Sequence, residues 1–281
     1  MKPDTPEREL SIRNLNHLLR TYDGLNKLIT ATKNRLQALN PDASAKQDWI
    51  LNGEGKSQGL EQIKDKLSRK IEKELHTWPL YTEWMKHVPG IGPAIAGRLI
   101  ILYYYKFTPI CVCGEALEKK DGTFWCPKCE KSVKGDGVTR HKIELRDFPN
   151  ISKFWAFMGM HIDSDGHKPK RKTGQQSNWS TVGRATCYLI GDQFNRQTNK
   201  TPYGVFLLER KARCEKQHPE IKPGHRLNRA RHEAAKLFIA HMWTVARTLD
   251  GLTVTPPYAG TIMGHTGIVQ PFYFGKKEKA A

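Results

Sequence analysis

Residues 88–101 read VPGIGPAIAGRLII. A helix is expected to end near Val88. Pro89-Gly90-Ile91-Gly92 then makes a tight turn, and Pro93 suits the first turn of a new helix, where its missing N–H costs nothing. Ala94, Ile95, Ala96 and Leu99 continue that helix on its buried side. This is the helix-hairpin-helix pattern. Its glycines let the backbone approach a phosphate closely, and the N–H groups at the new helix N-terminus bind the anion. Gly90, Ile91 and Gly92 are the candidate donors. Such contacts position a protein on nucleic acid without reading its sequence. A plain corner between two helices has the same local pattern, so the rest of the chain must decide.

The charge favours the phosphate reading. The chain has 281 residues, with 46 Lys and Arg against 28 Asp and Glu, a net charge of +18. Residues 1–88 hold 15 basic and 12 acidic residues, and residues 89–281 hold 31 and 16. The polyanion-binding surface is therefore expected in the last two thirds. The most apolar stretch, AIAGRLIILYYY at 94–105, is interrupted by Arg98 and is far short of the roughly 20 residues that span a bilayer. The N-terminus, MKPDTPEREL, carries no secretory apolar stretch. The expectation is a cytoplasmic, nucleoid-associated protein with no membrane contact.

Upstream of the turn, residues 1–88 read as an arm of two helices. Leu15, Leu18, Tyr22, Leu25, Ile29, Thr32, Leu36 and Leu39 recur at alternating spacings of three and four, a heptad seam. Asn40-Pro41 ends it. Residues 41–59, rich in Gly, Asn, Ser and Asp, read as a connector. Leu60, Ile63, Leu67, Ile71, Leu75 and Trp78 then share one face of a second helix. An antiparallel coiled-coil hairpin is expected, closed within one chain or pairing with a second copy as a homodimer.

Downstream, Cys111-Val-Cys113-Gly114 is followed after eleven residues by Cys126-Pro-Lys-Cys129. Two close pairs of cysteines make two knuckles around one ion. Four thiolates in tetrahedral array select Zn²⁺ in a structural site with no open position. The intervening residues read as a β-hairpin turning at Asp121-Gly122, within a zinc ribbon over 109–137. The first knuckle has one residue between its cysteines rather than two, which tightens it without removing a ligand. Six cysteines are too few for a disulfide scaffold, and Cys187 and Cys214 read as buried or free thiols.

Residues 154–190 form the third informative stretch. An apolar helix leads to Gly159. A polar loop holds Asp163, Ser164, Asp165 and Gly166, and then come Lys168, Lys170, Arg171 and Lys172. The basic run reads as a loop that binds a phosphate backbone. A hydroxyl beside clustered cations has the means to attack a phosphodiester, but no general base stands beside it. Asp163 and Asp165 read as turn residues. A last helix is expected from about Leu227 to Leu249, with His241 packed inside and Arg226 and Arg229 on other faces. The Pro/Gly-rich segment 251–281 reads as a docked coil.

Taken together, the motifs resemble the C-terminal part of the insertion-sequence transposases related to the Piv DNA invertase, the bridge-RNA-guided serine recombinases. The matching stretches are PGIGPAIAGRLI at 89–100, RDFPNISKFWAFMGM at 146–160, DSDGHKPKRKTG at 163–174, VGRATCYLI at 182–190, FLLERKAR at 206–213 and ARHEAAKLFIAHMW at 230–243. Their shared order carries the resemblance. It implies a mainly α fold, with a coiled-coil arm at 1–88 and a helix-hairpin-helix DNA-binding domain at 89–250. It adds Arg184, in the Gly-Arg helix, to Arg226 and Arg229 as nucleic-acid contacts. It also places a nucleophilic serine near Ser164.

The departures are as informative. The family's N-terminal RNase-H-like domain, with its four acidic catalytic residues, is not expected in these residues, because the arm begins almost at Met1. The zinc ribbon is an insertion. Where the family loop has Ser-Ser-Gly, this chain has Ser164-Asp165-Gly166, so either Ser164 or Asp165 occupies the nucleophile position. Three readings stand open. One is a DNA-binding protein of a mobile element or virus. The second is a recombinase using Ser164, with Mg²⁺ and an acidic domain supplied by a partner. The third is an RNA-binding or nucleoprotein-scaffold module whose zinc ribbon holds a partner protein. A guide or structured RNA joins DNA among the expected partners.

Overall fold

The computed structural model describes residues 6–39, 41–120, 123–133, 138, 140–162, 166–171, 175, 177–255 and 269–274. The chain is mainly helical. α1 spans Pro6–Gln37, α2 Pro41–Gln47, α3 Trp49–Asn52 and α4 Leu60–Leu75. A π-helical turn at Leu80–Trp84 and a 3-10 turn at Met85–His87 lead to α5, Pro93–Tyr104. Strands β1 (Tyr105–Ile110), β2 (Glu118–Lys120), β3 (Thr123–Cys126), β4 (Lys131–Val133) and β5 (Arg140–Leu145) follow. Helices α6 (Ile151–Phe157), α7 (Thr181–Arg196), α8 (Pro202–Gln217) and α9 (Pro223–Leu249) complete the order. Two compact units interleave along the chain. The first comprises 1–98, 188–253 and 269–281, and the second 99–187 and 254–268, so the cuts fall inside α5 and α7.

In the first unit α1 and α4 run antiparallel. The Ser11 hydroxyl donates to Glu74 Oε2 over 3.2 Å near the start of α1, and Lys33 meets Glu61 at 2.7 Å near its end. The buried stripe of α1 is Ile12, Leu15, Leu19, Ile29, Thr32 and Leu36. It departs from the expected seam in several ways: Leu39, beyond the helix end, is 45% exposed, Leu18, Tyr22 and Leu25 are only half-buried, and Ile12 and Leu19 join the stripe, while on α4 the expected inward residue Ile63 is exposed. The reason is a second neighbour. A Cβ at Gly97 of α5 would stand 3.2 Å from Leu19 Cδ1 and 3.3 Å from Leu15 Cδ1. Glycine there lets α5 press against α1, and Arg98 pairs with Asp23 beside it. The first half of α1 thus packs on two helices and buries a wider face than a two-helix seam needs.

The expected connector at 41–59 is instead partly helical, carrying α2 and α3. Leu51 is buried with Ile29 and Leu36, with Leu25 and Leu60 packed against them. One apolar anchor is enough to fold a short polar segment onto a helix already in place.

The rest of this unit is built on aromatic residues. Trp84 stacks on Phe238 at 5.3 Å, and Phe194 stacks on Tyr203 at 4.5 Å. Residues 269–274 lie across this cluster. Trp84 Nε1 donates to the Phe272 carbonyl over 2.8 Å, and Phe272 meets the Tyr203 ring edge-on at 4.9 Å. His241 is buried, as its helical position predicts. Its Nε2 lies 2.9 Å from the Val269 carbonyl and its Nδ1 lies 2.8 Å from Tyr203 Oη. A carbonyl only accepts, so Nε2 carries the proton and Nδ1 accepts from the tyrosine.

In the second unit β1 and β5 form an antiparallel ribbon, Tyr105 opposite Leu145 through Ile110 opposite Arg140. The three-stranded sheet β2-β3-β4 lies in the segment between them. Tyr103, Phe148 and Phe154 make the aromatic core of this unit, Tyr103 lying 5.2 Å from Phe154 and Phe148 lying 4.9 Å from it. Asn150 caps α6, its side chain accepting from the Lys153 N–H at 3.0 Å.

The α1 packing makes a direct prediction. Leu15 is fully buried, so Leu15→Ala will cost about 3 kcal/mol in unfolding free energy. Urea denaturation at two protein concentrations checks it. A midpoint that shifts by less than a third of this would show that the stripe is not a core of the single chain.

Candidate metal centre and polyanion-binding residues

The four cysteines of the two knuckles come together. Cys111 enters from the end of β1 and closes a turn in which the Gly114 N–H donates to the Cys111 carbonyl at 2.9 Å. Gly114 has φ of +89°, a conformation that a side chain disfavours. Cys126 ends β3, and its carbonyl accepts from the Glu130 N–H at 2.9 Å, closing the second knuckle. The Cys129 N–H donates to Cys126 Sγ at 3.4 Å. The hairpin holding the knuckles is present, with Lys120 opposite Thr123. Its expected turn residues, Asp121 and Gly122, lie outside the described residues.

The sulfur geometry is that of a metal site. Cys111 Sγ lies 3.8 Å from Cys129 Sγ, and Cys113 Sγ lies 3.6 Å from Cys126 Sγ. All four sulfurs are within 4.8 Å of one another. A tetrahedron with metal–sulfur bonds of about 2.3 Å has sulfur–sulfur edges of about 3.8 Å. The single-residue spacing of the first knuckle therefore does not prevent tetrahedral closure. Leu117 is buried with Cys111 and Cys126, and Phe124 and Val138 pack against them. Hydrogen bonding to the Cys113, Cys126 and Cys111 sulfurs pushes the Cys129 thiol up to about 12. The remaining two cysteines, Cys187 and Cys214, are buried and lie outside the cluster. Burial pushes the Cys187 thiol up to about 12, which removes it as a nucleophile.

The turn at 89–92 is formed, and the donors it offers differ from those expected. Gly90 has φ of +89°, and a Cβ there would stand 3.1 Å from Gln193 Cβ of α7. Its glycine thus serves close packing within the first unit. Ile91 is buried, and its N–H donates to the Val88 carbonyl at 3.1 Å. That N–H is spent inside the turn, which corrects its expected role as a phosphate donor. Gly92 is exposed, with nothing within 4 Å of a built Cβ. Its carbonyl takes the first helical bond, from the Ala96 N–H at 3.0 Å. The open end of α5 therefore begins at Gly92.

The basic residues separate into engaged and free. Lys168 is half-buried, and Lys170 and Arg171 are exposed. Ser164 and Lys172, together with Asp163 and Asp165, lie outside the described residues. Arg184 of α7 donates to the Pro169 carbonyl and lies 5.0 Å over the Trp179 ring. It is thereby tied to the basic loop. Gly159 makes room for this arrangement, since a Cβ there would meet Trp179 at 3.0 Å. Arg226 donates to the Ile221 carbonyl at 2.6 Å and the Pro219 carbonyl at 3.2 Å, and it pairs with Glu215. Its side chain is only 13% exposed, so it braces the α8–α9 turn. Arg229 is exposed and leans on Cys214 Sγ at 3.8 Å.

The sequence reading missed the β1–β5 ribbon that carries the cysteine module. Its signal is there: Tyr105-Lys-Phe-Thr-Pro-Ile110 and Arg140-His-Lys-Ile-Glu-Leu145 both alternate apolar and polar residues over much of their length. Each run is too short to be assigned without its partner. No protein-family model, curated protein or solved structure matches the chain. No helix among the described residues is long and apolar enough to cross a membrane.

Proposed function

We propose that the chain is a nucleic-acid-binding protein of the transposase type, acting on duplex DNA, with a structural zinc ion held by Cys111, Cys113, Cys126 and Cys129. The observation that carries the reading is the exposed start of α5 at Gly92 in a chain of net charge +18. Helix N-termini attract phosphate through free N–H groups and the helix dipole. Lys170 and Arg171 add charge from an exposed loop. The zinc ion supplies rigidity and no open coordination position. The metal-bearing hairpin is otherwise a three-stranded sheet of short strands with a very small core. For a proton acceptor beside Ser164 the sequence offers only Asp163 and Asp165, so the reading takes the isolated chain to bind DNA without cutting it. A homodimer, which the reading includes, would use outward residues of α1 such as Leu28, which is 47% exposed, because the inner stripe is already covered.

The test uses two measurements. Gly92 has open space around it and an ordinary backbone conformation. Gly92→Val will therefore leave the fold intact while blocking backbone approach. Affinity will fall about tenfold on every duplex alike, because a backbone contact carries no base information. A loss confined to one sequence contradicts the assignment. The second measurement incubates the chain with labelled duplex and Mg²⁺. Binding without a covalent product is expected, and a protein–DNA adduct that disappears in Ser164→Ala would make the chain a recombinase in its own right.

A further inference from the structure

Residues 196–236 hold 11 Lys and Arg against 4 Glu, a net charge of +7 in 41 residues. This segment runs from the end of α7 through α8 and into the first half of α9. It lies within the first compact unit, whereas the basic loop at 166–171 lies in the second. α8 and α9 run antiparallel: Arg210 pairs with Glu233 at 3.5 Å, Arg229 reaches Cys214, and Arg226 pairs with Glu215. Arg196 and Arg231 both take Asp192, at 3.0 and 3.1 Å. These pairs engage Asp192, Glu215 and Glu233, and Glu220 lies 3.3 Å from His218 Nδ1, while Glu209 enters none of them. Lys200, Lys211, Arg213, Lys216, Lys222 and Arg229 remain with no ion-pair partner among the described residues, and all but Lys211 are exposed.

We propose that the α8–α9 hairpin is a second binding surface for the phosphate backbone of a duplex, separate from the 166–171 loop and the start of α5. The inference rests on the nucleic-acid reading above and adds where a large part of its affinity arises. Three observations favour a duplex backbone over other polyanions. The hairpin exposes no Phe, Tyr or Trp ring for stacking on single-stranded bases: Tyr203, Phe238 and Trp243 are buried, and Phe206 lies half-buried under Arg210 at 4.6 Å, which leaves only the imidazoles of His218 and His225 exposed. It offers no apolar face to a lipid surface, because Leu207 and Cys214 of α8 and Ala234, Ala235 and Phe238 of α9 point inward. Four of its free cations, Lys211, Arg213, Lys216 and Arg229, are borne on helices, and Lys222 directly precedes α9, so little backbone must be ordered on binding. Arg226 takes no part in the contact. It holds the α8–α9 turn, so that Arg213, Lys216 and Lys222 stand on a fixed scaffold.

The experiment compares the full chain, R213E/K216E/K222E, and K170E/R171E by fluorescence anisotropy on duplex DNA, duplex RNA, single strands and phosphatidylserine vesicles, at several salt concentrations. Removing three phosphate contacts will lower the slope of log K against log salt by about 2 to 3 and weaken duplex binding at least tenfold. Thermal melting will be unchanged, because all three side chains are exposed and unpaired; R213Q/K216Q/K222Q, which adds no repulsion, will show the same slope. Equal losses on duplex DNA and RNA assign the contact to backbone shape shared by both, and a loss on one alone names that duplex as the target. If the full chain binds duplex and only K170E/R171E reduces the slope, the hairpin proposal is overturned and the reading above stands. If the full chain binds no duplex, both fall. A preference for single strands or vesicles over duplex also overturns it.

Discussion

Purified protein will carry one zinc ion per chain, and Cys126→Ser will lose it. Cys126 is fully buried at the end of β3, where its sulfur neighbours Cys113 Sγ at 3.6 Å and accepts from the Cys129 N–H. Removing it leaves three sulfurs and an incomplete tetrahedron. Structural zinc contributes about 10 kcal/mol or more of binding free energy, which in a module this small is its folding free energy. The apolar residues beside the cysteines, Leu117, Phe124 and Val138, are too few to hold three strands of three to four residues without it. Metal analysis and hydrogen exchange of Phe124–Cys126 check both halves. A chain that holds its metal after Cys126→Ser, or that keeps these amides protected after chelation, would show that the sulfur cluster is not the anchor of the module.

The second large effect is acid lability originating at His241. Burial pushes its pKa down from 6.5 to about 4, with the Val269 carbonyl opposing. The unfolded chain therefore binds a proton at a higher pH than the folded one. The stability that depends on a neutral imidazole is complete above about pH 6.5, declines as the pH falls, and is lost below about pH 4. The total is about 3 kcal/mol. Protonation also ends the acceptor role of Nδ1 toward Tyr203, itself buried with its hydroxyl pushed well above the usual range. His241→Gln removes titration from this window while keeping one donor and one acceptor. Urea unfolding between pH 7 and pH 4 will show wild type losing about 3 kcal/mol more than the variant. Parallel loss in the two proteins would place the acid sensitivity elsewhere.

How much of this was legible depended on the range of the interaction. The knuckles were legible because ligand spacing is local. Cys111-Val-Cys113 and Cys126-Pro-Lys-Cys129 each specify a turn, and a shared ion requires the turns to meet. The helices α1, α4 and α9 were legible because apolar periodicity survives over four or more turns. The turn at 89–92 was legible from its glycines and prolines. Its donors were not, because the Ile91 N–H is consumed by Val88 three residues earlier, a detail of turn geometry that Gly-Ile-Gly leaves open. Arg226 looked like an available cation in the sequence, and only the backward bend of the chain at Pro219–Lys222 turns it onto two carbonyls and Glu215.

Composition and spacing alone determined that this chain is mainly helical, strongly basic and equipped with a four-sulfur site, since helix periodicity, charge and knuckle spacing are properties of neighbouring residues. Tertiary structure decided the rest. It widened the α1 stripe to Ile12 and Leu19, because Gly97 brings α5 within contact. It paired β1 with β5 across the 29 residues between them, because each strand supplies the other's hydrogen bonds. It also sorted the cations of 196–236 into spent and free, because an ion pair depends on which carboxylate the fold brings within about 4 Å.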